Sequence, residues 1–172
     1  MNTSEINYIL RNNPVTADVF AGVFAADKLQ KQSKLPAAYV VNTERAGQPG
    51  AHWIAFYQEK DDSMEFFDSF GQPIGAFDEA IQDFCKDVTV VSQNQQLQHA
   101  LSTACGQYAC FFVWKRAKGL KFTTIVHMFS ANQANNDKMV TRKVNQVFDV
   151  KTRVFDRCLI EQCVRRELNK MF

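Results

Sequence analysis

His52, Asp68, Gln98 and Cys105 have the residue types and the order that acyl transfer to a thiol requires. A cysteine attacks a carbonyl only as thiolate. A helix N-terminus stabilises that anion through its unpaired N–H groups and its dipole, and a neighbouring imidazolium does so further. Cys105 stands at the start of the apolar run TACGQYACFFVWKRAKG, which puts a thiol at a helix N-terminus. His52 is then the general base and later the general acid. Asp68 holds the imidazole in the productive tautomer. An oxyanion hole needs two donors. The backbone N–H of Cys105 is one, and the side-chain amide of Gln98, seven residues earlier, is the other.

The elements around these residues decide whether they can meet. HWIAFYQ and MEFFDSF are strand-like runs separated by EKDDS, which predicts an antiparallel hairpin. His52 and Asp68 lie at its two sequence ends, and antiparallel pairing makes those ends neighbours. TACGQYACFFVWKRAKG reads as a helix capped by Thr103 and closed near Gly119. It is apolar nearly all round over its first turns, so it is expected to be the central buried helix. Thr3 or Ser4 is expected to cap a first helix, EINYILRN, and ADVFAGVFAADKL reads as a short helical or turn segment. AAYVVNT and VTVVSQ read as strands, and AFDEAIQDFCKD as a helix through Phe77, Ile81 and Phe84. NDKMVTRKVNQVF and KTRVFDRCLIEQCVRRELNKMF read as two amphipathic basic helices. The loop ERAGQPGA, with two glycines and a proline, is expected to be exposed and mobile.

Each residue also has a plainer reading. A lone cysteine is more often a buried structural thiol, a lone strand histidine a packed one, and a lone aspartate a turn former. Cys110 falls a turn and a half into the helix, away from free N–H groups, and reads as core. His99 is a rival base on proximity alone, and His127 in TTIVHMF reads as helical packing. Trp53 either packs in the sheet or shields the His–Cys pair and shapes a substrate cleft. Gly47 and Gly50 give the loop before His52 freedom to adjust over a substrate. Gly106 is expected to let a substrate backbone approach the nucleophile closely.

The chain has 172 residues, 46% of them hydrophobic and 15 of them Phe, which suits one domain with an aromatic core over residues 1–172. No apolar run reaches the ~18 residues of a membrane span, and the N-terminal stretch lacks a secretory pattern. Five cysteines, an odd count with no CxxC pair, argue against both a disulfide framework and a structural zinc site. A reducing compartment, cytosol or nucleus, is expected. Residues 1–114 carry 7 Lys or Arg against 13 Asp or Glu, whereas residues 115–172 carry 13 against 5. That basic final third fits either solvated helices or contact with DNA.

The order His-Trp, Asp in FDSFG, Gln, then Cys-Gly in ACGQYAC resembles the adenain-like cysteine proteases, relatives of the adenovirus protease that share a clan with the ubiquitin-like-protein proteases. It is nearest in flavour to the proteases of virophages and polinton or maverick-type elements. The resemblance spans Phe20 to Gly119. It implies an α+β, papain-like fold in which a small mixed sheet packs against the buried helix that carries the nucleophile. It implies an endopeptidase acting beside small residues, at Gly-Gly or Gly-x junctions of capsid or core precursors, in virions or in the host cytoplasm or nucleus. No metal or small cofactor is required. Adenoviral members are stimulated by a viral peptide and by DNA, so either is a possible activator, with Cys85 a weak candidate for a peptide-linked thiol. Two other functions fit the same residues less fully: a peptidase for ubiquitin-like modifiers, and a nucleic-acid-binding virion component with an idle site.

Overall fold

The computed structural model describes residues 1–148. Its centre is a five-stranded mixed sheet, built in chain order from β1 (Phe20–Ala25), β2 (Ala37–Asn42), β3 (Trp53–Lys60), β4 (Ser63–Phe67) and β5 (Thr89–Ser92). The strands also lie side by side in that order, parallel for β1–β2 and β4–β5 and antiparallel for β2–β3 and β3–β4. Helix α1 (Thr3–Arg11) precedes the sheet and α2 (Glu79–Phe84) lies between β4 and β5. After β5 come α3 (Cys105–Ala117), α4 (Phe122–Val126) and α5 (Gln133–Phe148).

Both faces of the central strands are covered, which is why AAYVVN and WIAFYQ are apolar without alternation. Ala38, Val40, Trp53, Ala55, Tyr57 and Phe67 face α3 and the helices around it. Tyr39, Val41, Ile54, Phe56 and Phe66 face α2. Helix α3 is apolar on nearly every side because it is enclosed by sheet and helices, with Tyr108, Ala109, Cys110, Phe111, Phe112 and Val113 buried. Phe112 stacks on Phe67 of β4, ring centroids 4.7 Å apart, and that contact joins the helix that begins at Cys105 to the strand that ends just before Asp68. At the other end of α3 the buried Arg116 binds Glu65 at 2.6 Å and Glu59 at 3.2 Å, and also donates to the Leu120 carbonyl. The orientation of α3 relative to the hairpin is thus held at both ends.

Several local expectations change. ADVFAGVFAADKL contains β1 and a short 3-10 turn (Ala26–Lys28) instead of a helix, because pairing with β2 overrides its helix-forming alanines. Asn2 caps α1, in a reciprocal capping box with Glu5, in place of Thr3 or Ser4. Thr103 does not cap α3. Ala104 holds that position, with no side-chain capping bond. The loop after β2 is exposed as expected, but it is tethered. Arg45 makes paired bonds to Asp78 at 2.8 and 3.0 Å, and the Ala46 N–H donates to Asp27 at 2.7 Å. The final basic segment, with Cys158 and Cys163, lies outside the described residues.

Candidate active site

His52 stands one residue before β3, and Asp68 one residue after β4. Hairpin pairing runs through Ala55 with Phe67, which leaves the two side chains at one end of the ladder. His52 Nε2 lies 2.6 Å from Asp68 Oδ1. With Nε2 committed to the carboxylate, Nδ1 is the nitrogen left for the thiol, and His52 and Cys105 lie close enough to shift each other's titration. The ring of Phe70 rests on the imidazole with centroids 4.9 Å apart. The carboxylate of Asp68 is buried and fully engaged: Oδ1 also accepts the Phe70 N–H at 3.1 Å, and Oδ2 accepts the Gln72 N–H at 2.8 Å. Gly71 makes this tight turn possible. Its φ is +69°, and a Cβ there would come within 2.7 Å of the Gln95 backbone.

Cys105 is the first residue of α3 and is partly exposed to a cleft of 700 Å³. The absent cap matters here, because a capping side chain would occupy N–H groups that an anion can use. Burial pushes the Cys105 thiol up. Hydrogen bonds from His52 and from the backbone at Trp53 and Gly106, together with the imidazolium charge, outweigh burial and hold it below the usual thiol range. Burial likewise pulls His52 down, but Asp68 and Cys105 outweigh it and raise the imidazole to about 9. Both shifts favour a thiolate–imidazolium pair. Its population grows as pH rises through the depressed thiol value and falls as pH passes about 9. Alkylation of Cys105 by iodoacetamide should therefore begin below the pH range of a free thiol. Peptide hydrolysis should follow a bell with its alkaline limb near 9. A profile with its only inflection in the ordinary thiol range would mean the pair does not form. For folding, the raised His52 value contributes stability below the free imidazole range and loses it as pH climbs toward 9.

Gln98 is completely buried in the protein yet borders the cleft. The Ser69 hydroxyl donates to its Oε1 at 2.7 Å, and its Nε2 donates to the Ser102 carbonyl at 2.8 Å. A carbonyl can only accept, so this second bond fixes which end of the amide is nitrogen. Among the described residues Nε2 makes no second bond, which leaves one of its hydrogens uncommitted.

Trp53 reconciles both of its readings. The indole is buried in the core, donates to the Met1 carbonyl at 3.1 Å, and borders the cleft. Gly50 also borders the cleft, pressed against the Asn42 amide. Gly106 differs from expectation. It is buried and faces inward, where a Cβ would meet Met1 at 3.1 Å, Trp53 at 3.3 Å and Ile6 at 3.4 Å. Its small size serves packing of α3 against α1 and β3, and a substrate does not reach it there. His99 is exposed, its Nδ1 accepting the Leu101 N–H, and His127 is exposed at the end of α4. Burial raises Cys85 to about 11 and Cys110 further still, which leaves both thiols inert. Sequence reasoning missed Ser69, Phe70, Gly71 and Ser102. Ser69, Phe70 and Gly71 sit inside the quoted FDSFG, but nothing local links Ser69 to an amide 29 residues away.

A mixed α+β fold that brings a thiol, an imidazole and a carboxylate together has the arrangement that cysteine proteases use. No established family profile matches the chain. It is 27% identical over 109 residues to Putative thiol protease R355 of Acanthamoeba polyphaga mimivirus, a match covering 58% of this chain and 36% of that protein. The chain therefore spans about a third of the curated relative it matches. Among solved structures, the ASFV pS273R protease superposes with a TM-score of 0.56 at 16% identity, over 79% of this chain and 63% of that one. The central domain of the uncharacterized Lpg1148 protein from Legionella pneumophila gives 0.50 at 12% identity, over 87% and 98% of the respective chains. The chain is thus related in sequence to a putative thiol protease of a virus and shares its fold with the ASFV pS273R protease. Among the described residues no helix is long and apolar enough to cross a membrane.

Proposed function

We propose that the chain is a cysteine endopeptidase that cleaves viral capsid or core precursors beside small residues, at Gly-Gly or Gly-x junctions. The observation that carries this reading is a single imidazole held between a buried carboxylate and a thiol at the mouth of a cleft. Cys105 Sγ attacks the scissile carbonyl, and the oxyanion is received by the Cys105 N–H and the free Nε2 hydrogen of Gln98. His52 gives its proton to the departing amine as the C–N bond breaks, leaving a thioester on Cys105. Water then attacks that carbonyl while His52 takes its proton. The acid leaves, and the thiolate–imidazolium pair is restored. No metal or small cofactor enters these steps. Contact with DNA is supported by the basic final third, residues 115–172, with 13 Lys or Arg against 5 Asp or Glu.

The test is incubation with a peptide vinyl sulfone ending in Gly-Gly, followed by intact mass and peptide mapping. A single adduct on Cys105, lost in His52→Ala, is expected. Labelling that requires an added viral peptide or DNA would make the enzyme a gated one. No adduct under any condition would overturn the reading. In peptide hydrolysis Gln98→Ala should cost about 10- to 1,000-fold in kcat, the scale of one oxyanion donor. An unchanged rate would remove Gln98 from the oxyanion hole.

A further inference from the structure

The cleft does not end at the nucleophile. Ser102 and Thr103 border it beside Cys105, and the same two residues form the rim of a second groove, of 910 Å³, between α3 and α5. The α5 wall presents Lys138, Thr141, Arg142 and Asn145, spaced to fall along one helix stripe. Lys138 and Arg142 are exposed, and neither forms an ion pair with another described residue. Asp137 also borders the groove, but its Oδ1 accepts the buried Tyr108 hydroxyl at 2.8 Å, which turns that charge toward the core. On the α3 wall Gln107 Oε1 is buried with no hydrogen-bond partner among the described residues.

These features have one chemistry in common. Two unpaired cations attract a carboxylate. Thr103 is two residues from Cys105, and an extended peptide advances about 3.4 Å per residue. A chain seated in the cleft thus enters the groove within about two to five residues of the bond being cut.

We propose that the groove between α3 and α5 is a substrate subsite that takes an acidic residue of the protein substrate, its carboxylate on Lys138 and Arg142. This inference rests on Cys105 being the nucleophile. It adds a determinant that the reacting residues do not supply: a sequence preference set by charge, a few residues from the scissile bond.

The experiment measures kcat/KM for peptides of one parent sequence carrying Asp, Ala or Lys at each position around the cut. At one or two neighbouring positions Asp should exceed Lys by about 5-fold, mainly through KM, as expected for uniform binding by a partly exposed charge pair. Lys138→Glu with Arg142→Glu should invert the preference, and Lys138→Gln with Arg142→Gln should flatten it. About 1 M salt should flatten it in the parent protein. Alkylation of Cys105 by iodoacetamide, a small uncharged probe, should be the same in all of them. Cleavage with no charge preference, or a preference that survives reversal, overturns the subsite and leaves the protease reading standing. So does loss of oligonucleotide retention on charge reversal with peptide preference unchanged, which would make the groove a nucleic-acid contact. Absence of both cleavage and Cys105 labelling overturns the protease reading itself, and the subsite with it.

Discussion

Cys105→Ala should reduce peptide hydrolysis to background, a loss of about 10⁵- to 10⁶-fold in kcat, the scale seen when a nucleophile is removed from a triad. The fold should survive. Cys105 is partly exposed at the first position of α3, where alanine is a good helix former, and the buried packing of that helix begins beyond it. The thermal midpoint and the far-UV circular dichroism should therefore stay close to those of the parent. A second readout is specific to the pairing. His52 owes part of its raised value to the thiolate, so its titration should move down in the variant while staying elevated by Asp68. Hydrolysis within tenfold of the parent would place the nucleophile elsewhere. Among the described residues the other thiols are Cys85 and Cys110, both buried and both raised.

Asp68→Asn should be the next most damaging change, lowering kcat/KM by about 10²- to 10⁴-fold, the scale of losing the orienting carboxylate. The carboxylate receives three hydrogen bonds, from His52, the Phe70 N–H and the Gln72 N–H. An asparagine has one acceptor oxygen, so its NH₂ must face a donor. If it faces Gln72, two N–H groups collide. If it faces His52, Nε2 becomes the acceptor and the ring proton moves to Nδ1, toward the thiol, where the imidazole cannot act as base. The alkaline limb of activity, near 9 in the parent, should fall toward the range of a free histidine. A stability loss of about 1–3 kcal/mol from the unsatisfied buried donor should accompany it. An Asp68→Asn protein with parental pH dependence would mean that another group sets the charge of His52.

The hairpin was legible because two β-prone apolar runs flank a short charged turn. The pairing of its ends then follows from antiparallel geometry alone. The buried helix was legible for the opposite reason, since only a fully enclosed helix tolerates apolar residues on every side. β1 was not legible. VFAGVFAADK has helix-forming alanines and no alternation, and what makes it a strand is the exposed edge of β2. Gly106 misled for a similar reason. A glycine after a nucleophile suggests room for substrate, yet the residues that crowd it come from α1, β3 and the first residue of the chain.

By itself the sequence determined the ingredients of the site: a thiol at a helix start, a histidine and an aspartate at the ends of one hairpin, and a glutamine seven residues before the thiol. These depend on local periodicity and on residue chemistry, which neighbours along the chain suffice to express. Tertiary structure alone decided which imidazole nitrogen meets the thiol, which hydrogen of Gln98 stays free, and that the cleft runs on past Ser102 into a cationic groove. Those outcomes depend on hydrogen bonds and walls contributed by segments tens of residues apart. Their relative placement is set by the packing of α3 between the sheet and α5, a long-range arrangement that no local pattern encodes.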